Sequence, residues 1–520
     1  TVLNLRRRVR AWFGVHRQSV VIAGGLLTLV AVVHGWGVAG APAVTDDEGT
    51  YMAQAWAVQV QHHLAPYTYW YDHPPLAWLQ IAGWTWMTGA FHGSVHAIAA
   101  GRELMVVASV VSAGLLYLLA RRVHLRRGCA GLAVGLFALS PLAVDYQRLV
   151  LLDNVAVPWL LAALVLAASP RRSLWATAAS GGCFAAAVLS KETFLLALPA
   201  VITLLWLRSD PRTRAFCVTG FTATFGLLVV AYPLYAVLKG ELIPGAGHVS
   251  LLQAVKFQLI SRQGSGSVFS SGSNAHGTVA VWLGLDHWLL ALGLVALPVG
   301  VALRRHRWMA VGFGLPILLA IRGGYLPDPF VIALLPFAAL LVAAAVDATW
   351  GLLVVRRDPH RRATVYLGSQ VVAAVTAVVL VAALVPPWVS GDHSLATGNA
   401  TAPVWNAERW IEGNVNRNQR LIVDDSMWTD LVEHGFNPNL GVVWFYKLDT
   451  TNNLDPSVAR ALPDGWKDFG YVVSTPIIRS ALRQLPGGLV PVRQALAAST
   501  SVATFGTGAG QIDVRRIHKP

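Results

Sequence analysis

Apolar runs long enough to cross a bilayer fill the first three quarters of this chain, each closed by a short polar or basic connection. An α-helix rises about 1.5 Å per residue and must satisfy its own amides in lipid, so a crossing needs ~20 mostly apolar residues. Eleven runs fit: 20–40, 101–120, 128–144, 151–168, 174–190, 192–207, 215–237, 288–303, 308–322, 330–350 and 363–387. They predict an all-α polytopic membrane unit of eleven transmembrane helices over residues 1–387. Beyond 388 the apolar runs shorten to strand length, at Leu421-Ile422-Val423, Val442 to Tyr446, Tyr471-Val472-Val473, Val502 to Phe505 and Gln511 to Val514. Helical patterns at 404–415, 427–434 and 476–485 alternate with them, which predicts a C-terminal α/β domain over 388–520.

The connections give the orientation. Basic clusters occur at Arg6-Arg7-Arg8, Arg121-Arg122 with Arg126-Arg127, Arg171-Arg172, Arg208 with Arg212 and Arg214, Arg304-Arg305 with Arg307, and Arg356-Arg357 with Arg361-Arg362. Every second connection carries one, and such clusters stay on the cytoplasmic side. The N-terminus is therefore expected in the cytoplasm of a multi-pass plasma-membrane protein, with the 388–520 domain extracytoplasmic. Two long outer loops follow from this. Residues 41–100, rich in Trp, Tyr and His and broken by Pro66 and Pro74-Pro75, suit interfacial helices. Residues 239–287, polar and Gly/Ser-rich around 261–267, read as a loop that is mobile until something binds.

Composition agrees with a bilayer as solvent: 55% of residues are hydrophobic, 13% are charged, and the mean hydropathy is +0.53. The net charge of +14 does not point to nucleic acid, because the basic residues lie in short clusters between apolar runs and not in one patch. Cys129, Cys183 and Cys217 all sit inside apolar segments and form no disulfide or metal spacing. The basic N-terminus before the run 20–40 resembles a signal peptide, but the run has bilayer length and reads as an uncleaved first span.

Ionisable residues at the outer ends of spans are costly to keep there, so they are the candidates for chemistry. Three carboxylates in a row, Asp46, Asp47 and Glu48, follow the first span. Like charges so close push at least one pKa upward, which suits a general base; the plainer reading is a helix start favoured by the dipole. In the same loop, Pro74-Pro75 fix a rigid turn that gathers Tyr71, Asp72 and His73, with Asp72 also fitted to cap a helix. Arg102-Glu103, Arg148 with Asp153, Lys191-Glu192, Arg322 before Gly323-Gly324-Tyr325, and Lys256 and Arg262 in the second long loop add cations on the outer side. Cations there run against the positive-inside bias, and phosphate is the ligand that guanidinium and ammonium groups bind best. Local pairing, Arg148 with Asp153 or Lys191 with Glu192, is the alternative. Asp424-Asp425, at the end of an expected strand, are either site residues or ordinary loop carboxylates.

These elements together resemble the family 39 glycosyltransferases of GT-C fold, which include protein O-mannosyltransferases and the enzymes that add aminoarabinose to lipid A. Asp47-Glu48 is similar to the acidic pair of the family's first outer loop. Tyr71-Asp72-His73-Pro74-Pro75-Leu76 resembles its Asp-Lys/His-Pro-Pro-Leu signature, Arg148 to Asp153 its Arg/Asp element, and Leu189-Ser190-Lys191-Glu192 its Leu-Thr-Lys element. The resemblance covers about residues 15–350, and the style of the 239–287 loop is similar to that of actinobacterial members. His73 stands where the aminoarabinose transferases carry a lysine.

The resemblance implies a polyprenyl-phosphate-linked sugar as donor and a cell-envelope hydroxyl, on glycan, lipid or protein, as acceptor, with hexosyl or pentosyl transfer and inversion. In that scheme Asp47 is the base, with Asp46 or Glu48 orienting the acceptor or raising its pKa. His73, Arg148, Lys191, Arg322 and Arg262 hold the donor phosphate, and Tyr71, Asp72, Asp153, Glu192 and Tyr325 position the substrates. No cofactor is required, although a divalent cation is compatible with the carboxylates. The competing class is a polyprenyl-lipid flippase or transporter, but the charges gather at one face and the chain shows no internal repeat. A binding or assembly module centred on the C-terminal domain is a third reading.

Overall fold

The structure is a computed structural model that describes residues 2–93, 96–170, 173–351, 381–449 and 457–518. Arg171-Arg172, Arg356-Arg357, Arg361-Arg362 and most of the eleventh apolar run lie outside the described residues; 381–397 are helical.

Helices stand at each of the other ten runs. Among the described residues, four are long and apolar enough to cross a membrane: Arg17–Gly35, Ala97–Arg122, Arg214–Leu238 and Asp328–Trp350. Two bent pairs have the length and apolarity of a crossing only when each is taken together, Arg127–Ala138 with Pro141–Arg148 at 57° and Asn274–Leu285 with Leu289–Ala302 at 96°. In the first pair Pro141 opens the second helix, where its missing N–H costs nothing. The run at 192–207 opens with a 3-10 turn, Glu192–Ala197, so helix Leu174–Ser190 ends beside Lys191 and does not continue.

The loop 41–100 holds two helices, α2 (Asp46–Trp56) and α3 (Leu76–Thr88), between the long helices α1 (Val2–Gly35) and α4 (Ala97–Arg122). In the loop 239–287, helices Leu251–Lys256 and Asn274–Leu285 occupy much of the segment, each opened by a serine cap, Ser250 and Ser273.

In the C-terminal region all five expected strands form: β1 (Leu421–Val423), β2 (Val442–Trp444), β3 (Tyr471–Ser474), β4 (Ser499–Phe505) and β5 (Ile512–Ile517). Their order is β2-β1-β3-β5-β4, with β2, β1 and β3 parallel and β5 antiparallel to both β3 and β4. Residues of both faces are buried, since Ile422 pairs in register with Val443 and Val472 while Leu421 and Val423 point the other way into a second core. That second core is continuous with the helix bundle. Trp428 packs edge-on against Trp56 of α2 at 5.3 Å between ring centroids, and Tyr67 meets Trp444 at 4.8 Å. Trp56 also donates to Glu433, and Thr401 Oγ1 donates to Ala39 O at 2.9 Å. The sheet is thereby fastened to the end of the bundle where the acidic loop lies.

Candidate functional site

The first turn of α2 carries the three carboxylates. Thr45 caps it: its side chain accepts from Glu48 N and its own N–H donates to Glu48 Oε2 at 3.2 Å, a reciprocal box that starts the helix here. Successive helical residues diverge by about 100°, so three adjacent carboxylates cannot face one ligand. Glu48 turns inward. It is fully buried, accepts from Arg102 Nε and Nη2 at 2.8 Å each, and takes the Val150 amide at 3.0 Å. Both oxygens are occupied, which corrects the expectation that Glu48 serves in catalysis: it anchors α2 to α4.

Asp46 and Asp47 face the other way. Solvent reaches Asp46 although protein surrounds it, and Asp47 is half-buried. Burial raises Asp46 above the ordinary carboxylate range, against the backbone amides of Asp46 and Asp47, with the Asp328 charge adding to the rise. Burial also raises Asp47, and the Asp46 carboxylate adds to it, to about 6; the Lys191 ammonium, and His73 when it is protonated, pull back only partly.

Opposite them stands the Pro-Pro turn. Tyr71 adopts a left-handed φ of 55° and donates to Glu241 at 2.6 Å, while Tyr232 donates to the carbonyls of Tyr71 and His73 at 3.1 and 3.2 Å. Tyr69 adds a bond to His73 O at 2.5 Å, so the His73 backbone is held from two sides. The ring of His73 then bridges two elements: Nε2 lies 3.0 Å from Lys191 Nζ and Nδ1 lies 3.0 Å from Glu192 Oε2. An ammonium can only donate, so Lys191 fixes Nε2 as acceptor and leaves Nδ1–H to donate to Glu192. Burial acts most strongly, lowering His73, but the charge and hydrogen bond of Glu192 together with the Asp72 charge outweigh it, and the pKa lies above the usual histidine value. Lys191 is likewise raised, burial being outweighed by Glu192, Asp153 and Asp47. Asp153, in the first turn of helix Leu152–Ala167, is buried near this group, and Asp72 lends its charge with one oxygen buried and unbonded.

The structure thus brings together Asp46, Asp47, Asp72, His73, Asp153, Lys191 and Glu192. It separates Arg148 from them. That side chain is completely buried and donates to four carbonyls, those of Ala41, Leu395, Val33 and Trp36, at 2.6 to 3.3 Å. The expectation that Arg148 binds phosphate, or pairs with Asp153, is corrected: it ties the end of α1 to the helix at 381–397. Arg262 stacks on Tyr325 at 3.4 Å and donates to Gln258, and Arg322 stands exposed after helix Arg307–Ile321. Tyr325 feels the charges of both Asp47 and Lys191, so the stacked pair borders the cluster.

Two participants were not singled out from sequence. Asp328, bonded by Thr278 at 2.5 Å, lies close enough to raise Asp46; its place between Pro327 and Pro329 was the available signal. Thr50, one turn after Asp46 on α2, donates to Asp425 of the C-terminal region, which also receives Tyr446 OH at 2.9 Å. Gly49 makes this approach feasible, because a Cβ there would sit 2.1 Å from Asp425 C. Asp425 is therefore a neighbour of the acidic site and not a loose loop carboxylate, whereas Asp424 caps its own helix through Ser426 N at 3.0 Å.

Residues 72–235 match the family model described as dolichyl-phosphate-mannose-protein mannosyltransferase, a span that includes His73, Asp153, Lys191 and Glu192. No curated protein sequence matches significantly. Among solved structures the chain is similar to ArnT from Cupriavidus metallidurans bound to undecaprenyl phosphate, with a TM-score of 0.56, 14% identity, and 95% of this chain and 97% of that one covered. It is also similar to the Archaeoglobus fulgidus oligosaccharyltransferase tethered with an acceptor peptide, at TM-score 0.55 and 12% identity, over 97% of this chain and 74% of that one. The chain is thus a multi-pass membrane protein with the fold of the GT-C glycosyltransferases, and the segment that carries most of its charged cluster matches the mannosyltransferase family model.

Proposed function

We propose that this protein transfers a glycosyl group from a polyprenyl-phosphate-linked donor to a hydroxyl of a cell-envelope acceptor, at the extracytoplasmic face of the plasma membrane. One observation carries the reading: a carboxylate of raised pKa, Asp47, stands across from the linked Lys191, His73 and Glu192. The donor class is supported by the undecaprenyl phosphate named for the similar ArnT structure. Orientation is supported by the alternating arginine clusters, which would set the N-terminus and the even connections in the cytoplasm, eleven spans over 1–387, and the 388–520 domain outside.

In this scheme Asp47 takes the proton of the acceptor hydroxyl as its oxygen bonds to the anomeric carbon. The bond from that carbon to the phosphate oxygen breaks, its electron pair leaves with the polyprenyl phosphate, and the centre inverts. Lys191 turns from His73 Nε2 to the phosphate, and His73, supported by Glu192, is then free to protonate and add a second positive charge. Asp46 keeps Asp47 basic and orients the acceptor, with Asp72, Asp153 and Tyr325 shaping the remaining contacts. Lys191 and His73 supply the charge that the leaving phosphate needs, so the scheme requires no cofactor.

Asp47→Asn, reconstituted in proteoliposomes with polyprenyl-phosphate sugars, is expected to lose about 10²- to 10⁴-fold in turnover while still binding the lipid phosphate. A folded variant with full turnover overturns the assignment. Passage of labelled lipid across the bilayer without any glycosylated product would favour the flippase reading.

A further inference from the structure

Away from this cluster, where the C-terminal region meets α4, three ligand-bearing side chains converge from three elements. His96 immediately precedes α4, Glu408 lies on helix Ala402–Asn414, and Asp430 lies on helix Asp425–Glu433. His96 Nδ1 is 3.2 Å from Glu408 Oε2 and 3.8 Å from Asp430 Oδ1, and the three ligand atoms all fall within 4.8 Å of one another. His96 and Asp430 are held in place. The His96 ring stacks on Trp405 at 4.5 Å and 7°, Asp430 Oδ1 takes the Ala97 amide at 3.0 Å, and His434 Nδ1 donates to the Asp430 carbonyl at 2.7 Å.

Independent of this convergence is the state of Glu408. It is completely buried, and neither of its oxygens accepts a hydrogen bond among the described residues. A buried carboxylate without donors costs several kcal/mol, so its charge must be cancelled by a proton or by a cation. Arg409 does not fill the need: among the described residues no ion pair joins it to Glu408, and the nearby His434 is paired with Glu412 at 3.0 Å. Two carboxylates and one neutral imidazole balance a divalent charge, and one nitrogen with two oxygens is a donor set that Zn²⁺ accepts, with water in a fourth position. His96 is partly exposed, which leaves that position open to solvent.

We propose that His96, Glu408 and Asp430 bind one divalent transition-metal ion, Zn²⁺ by the chemistry of the donors, which clamps the C-terminal region to α4. The helix it would fix is the one that begins with Asp425, so the clamp sets the distance between that carboxylate and Thr50 at the acidic site. The clamp stands whether or not the chain transfers sugars.

The test uses the untagged full-length chain in nanodiscs, stripped with chelator and titrated with Zn²⁺. One Zn²⁺ per chain is expected by elemental analysis, together with a rise in Tm, and X-ray absorption should show four nitrogen or oxygen ligands at about 2.0–2.2 Å with the outer-shell scattering of one imidazole. Glu408→Gln keeps the shape of the side chain, so it should fold, yet it should lose both the bound Zn²⁺ and the Zn²⁺-dependent rise in Tm; Asp430→Asn should do the same. Zn²⁺ retained by both variants overturns the site. So does a wild-type chain that takes up none while Glu408→Gln is more stable than wild type, because a shared proton then neutralises the pair.

Discussion

At the residue scale, Asp47 and Glu48 are chain neighbours with opposite duties. Glu48 satisfies Arg102 deep in the protein, and removing one partner of such a pair leaves the other charge uncompensated, at about 3–5 kcal/mol. Glu48→Ala should therefore lower Tm sharply or prevent folding, whereas Asp47→Asn should leave Tm close to wild type; thermal unfolding of the two in the same detergent decides. The pH profile separates Asp47 further. A base with a folded pKa of about 6 is protonated and idle below that value, so activity should fall as pH drops through about 6, not through the usual value near 4. Asp46→Asn removes the neighbouring negative charge and should shift the acid limb to lower pH. A limb that stays in place would show that Asp46 does not act on the base. The triple carboxylate was plain in the sequence, but which of its members face Lys191 and His73 was not, because 100° of helix rotation per residue has no signature in three adjacent acids. Arg148 misled for a related reason: a cation among apolar residues reads the same whether it awaits phosphate or is consumed by four carbonyls.

At the element scale, the contact of α2 with helix Asp425–Glu433 depends on a missing side chain. A Cβ on Gly49 would lie 2.1 to 2.3 Å from Asp425 C and O and Ser426 N, all backbone atoms that cannot swing aside. Gly49→Ala should push the two helices apart, lower Tm and weaken the bond from Thr50 to Asp425. Gly83, in the middle of α3, has nothing within 4 Å of such a Cβ, so Gly83→Ala should instead stabilise by about 0.5–1 kcal/mol. Equal effects from the two substitutions would refute the close approach. Helix and strand positions were legible because long apolar runs and short alternating ones differ in length. What was not legible were breaks inside runs, such as the 3-10 turn that displays Lys191 and Glu192, and the helices 251–256 and 274–285, whose polar Gly/Ser surroundings hid them.

At the scale of the whole molecule, the bundle and the C-terminal sheet share a core. Trp428, Val442, Val473 and Val514 belong to the same packed cluster as Trp56 of α2 and as Met105 and Phe337 of the long apolar helices, while the far face of the sheet closes on its own cluster around Val443 and Ile478. A boundary at 388 drawn from hydropathy falls inside the helix at 381–397 and concerns a change of solvent, from lipid to water, but solvent change and folding unit are different things. If cohesion follows the shared core, heating should give one cooperative transition, seen alike by tryptophan fluorescence and by protection of the C-terminal region from protease. Trp428→Ala deletes the central contact to Trp56 and Tyr67, and truncation of a buried tryptophan costs about 3–5 kcal/mol. It should therefore lower that single transition for the bundle and the sheet together. Two separate transitions in the wild type, or a Trp428→Ala variant whose sheet melts early while the bundle keeps its wild-type Tm, would mean that the C-terminal region is an independent unit resting on the bundle. Its carboxylate Asp425 would then reach the acidic helix by docking and not by folding.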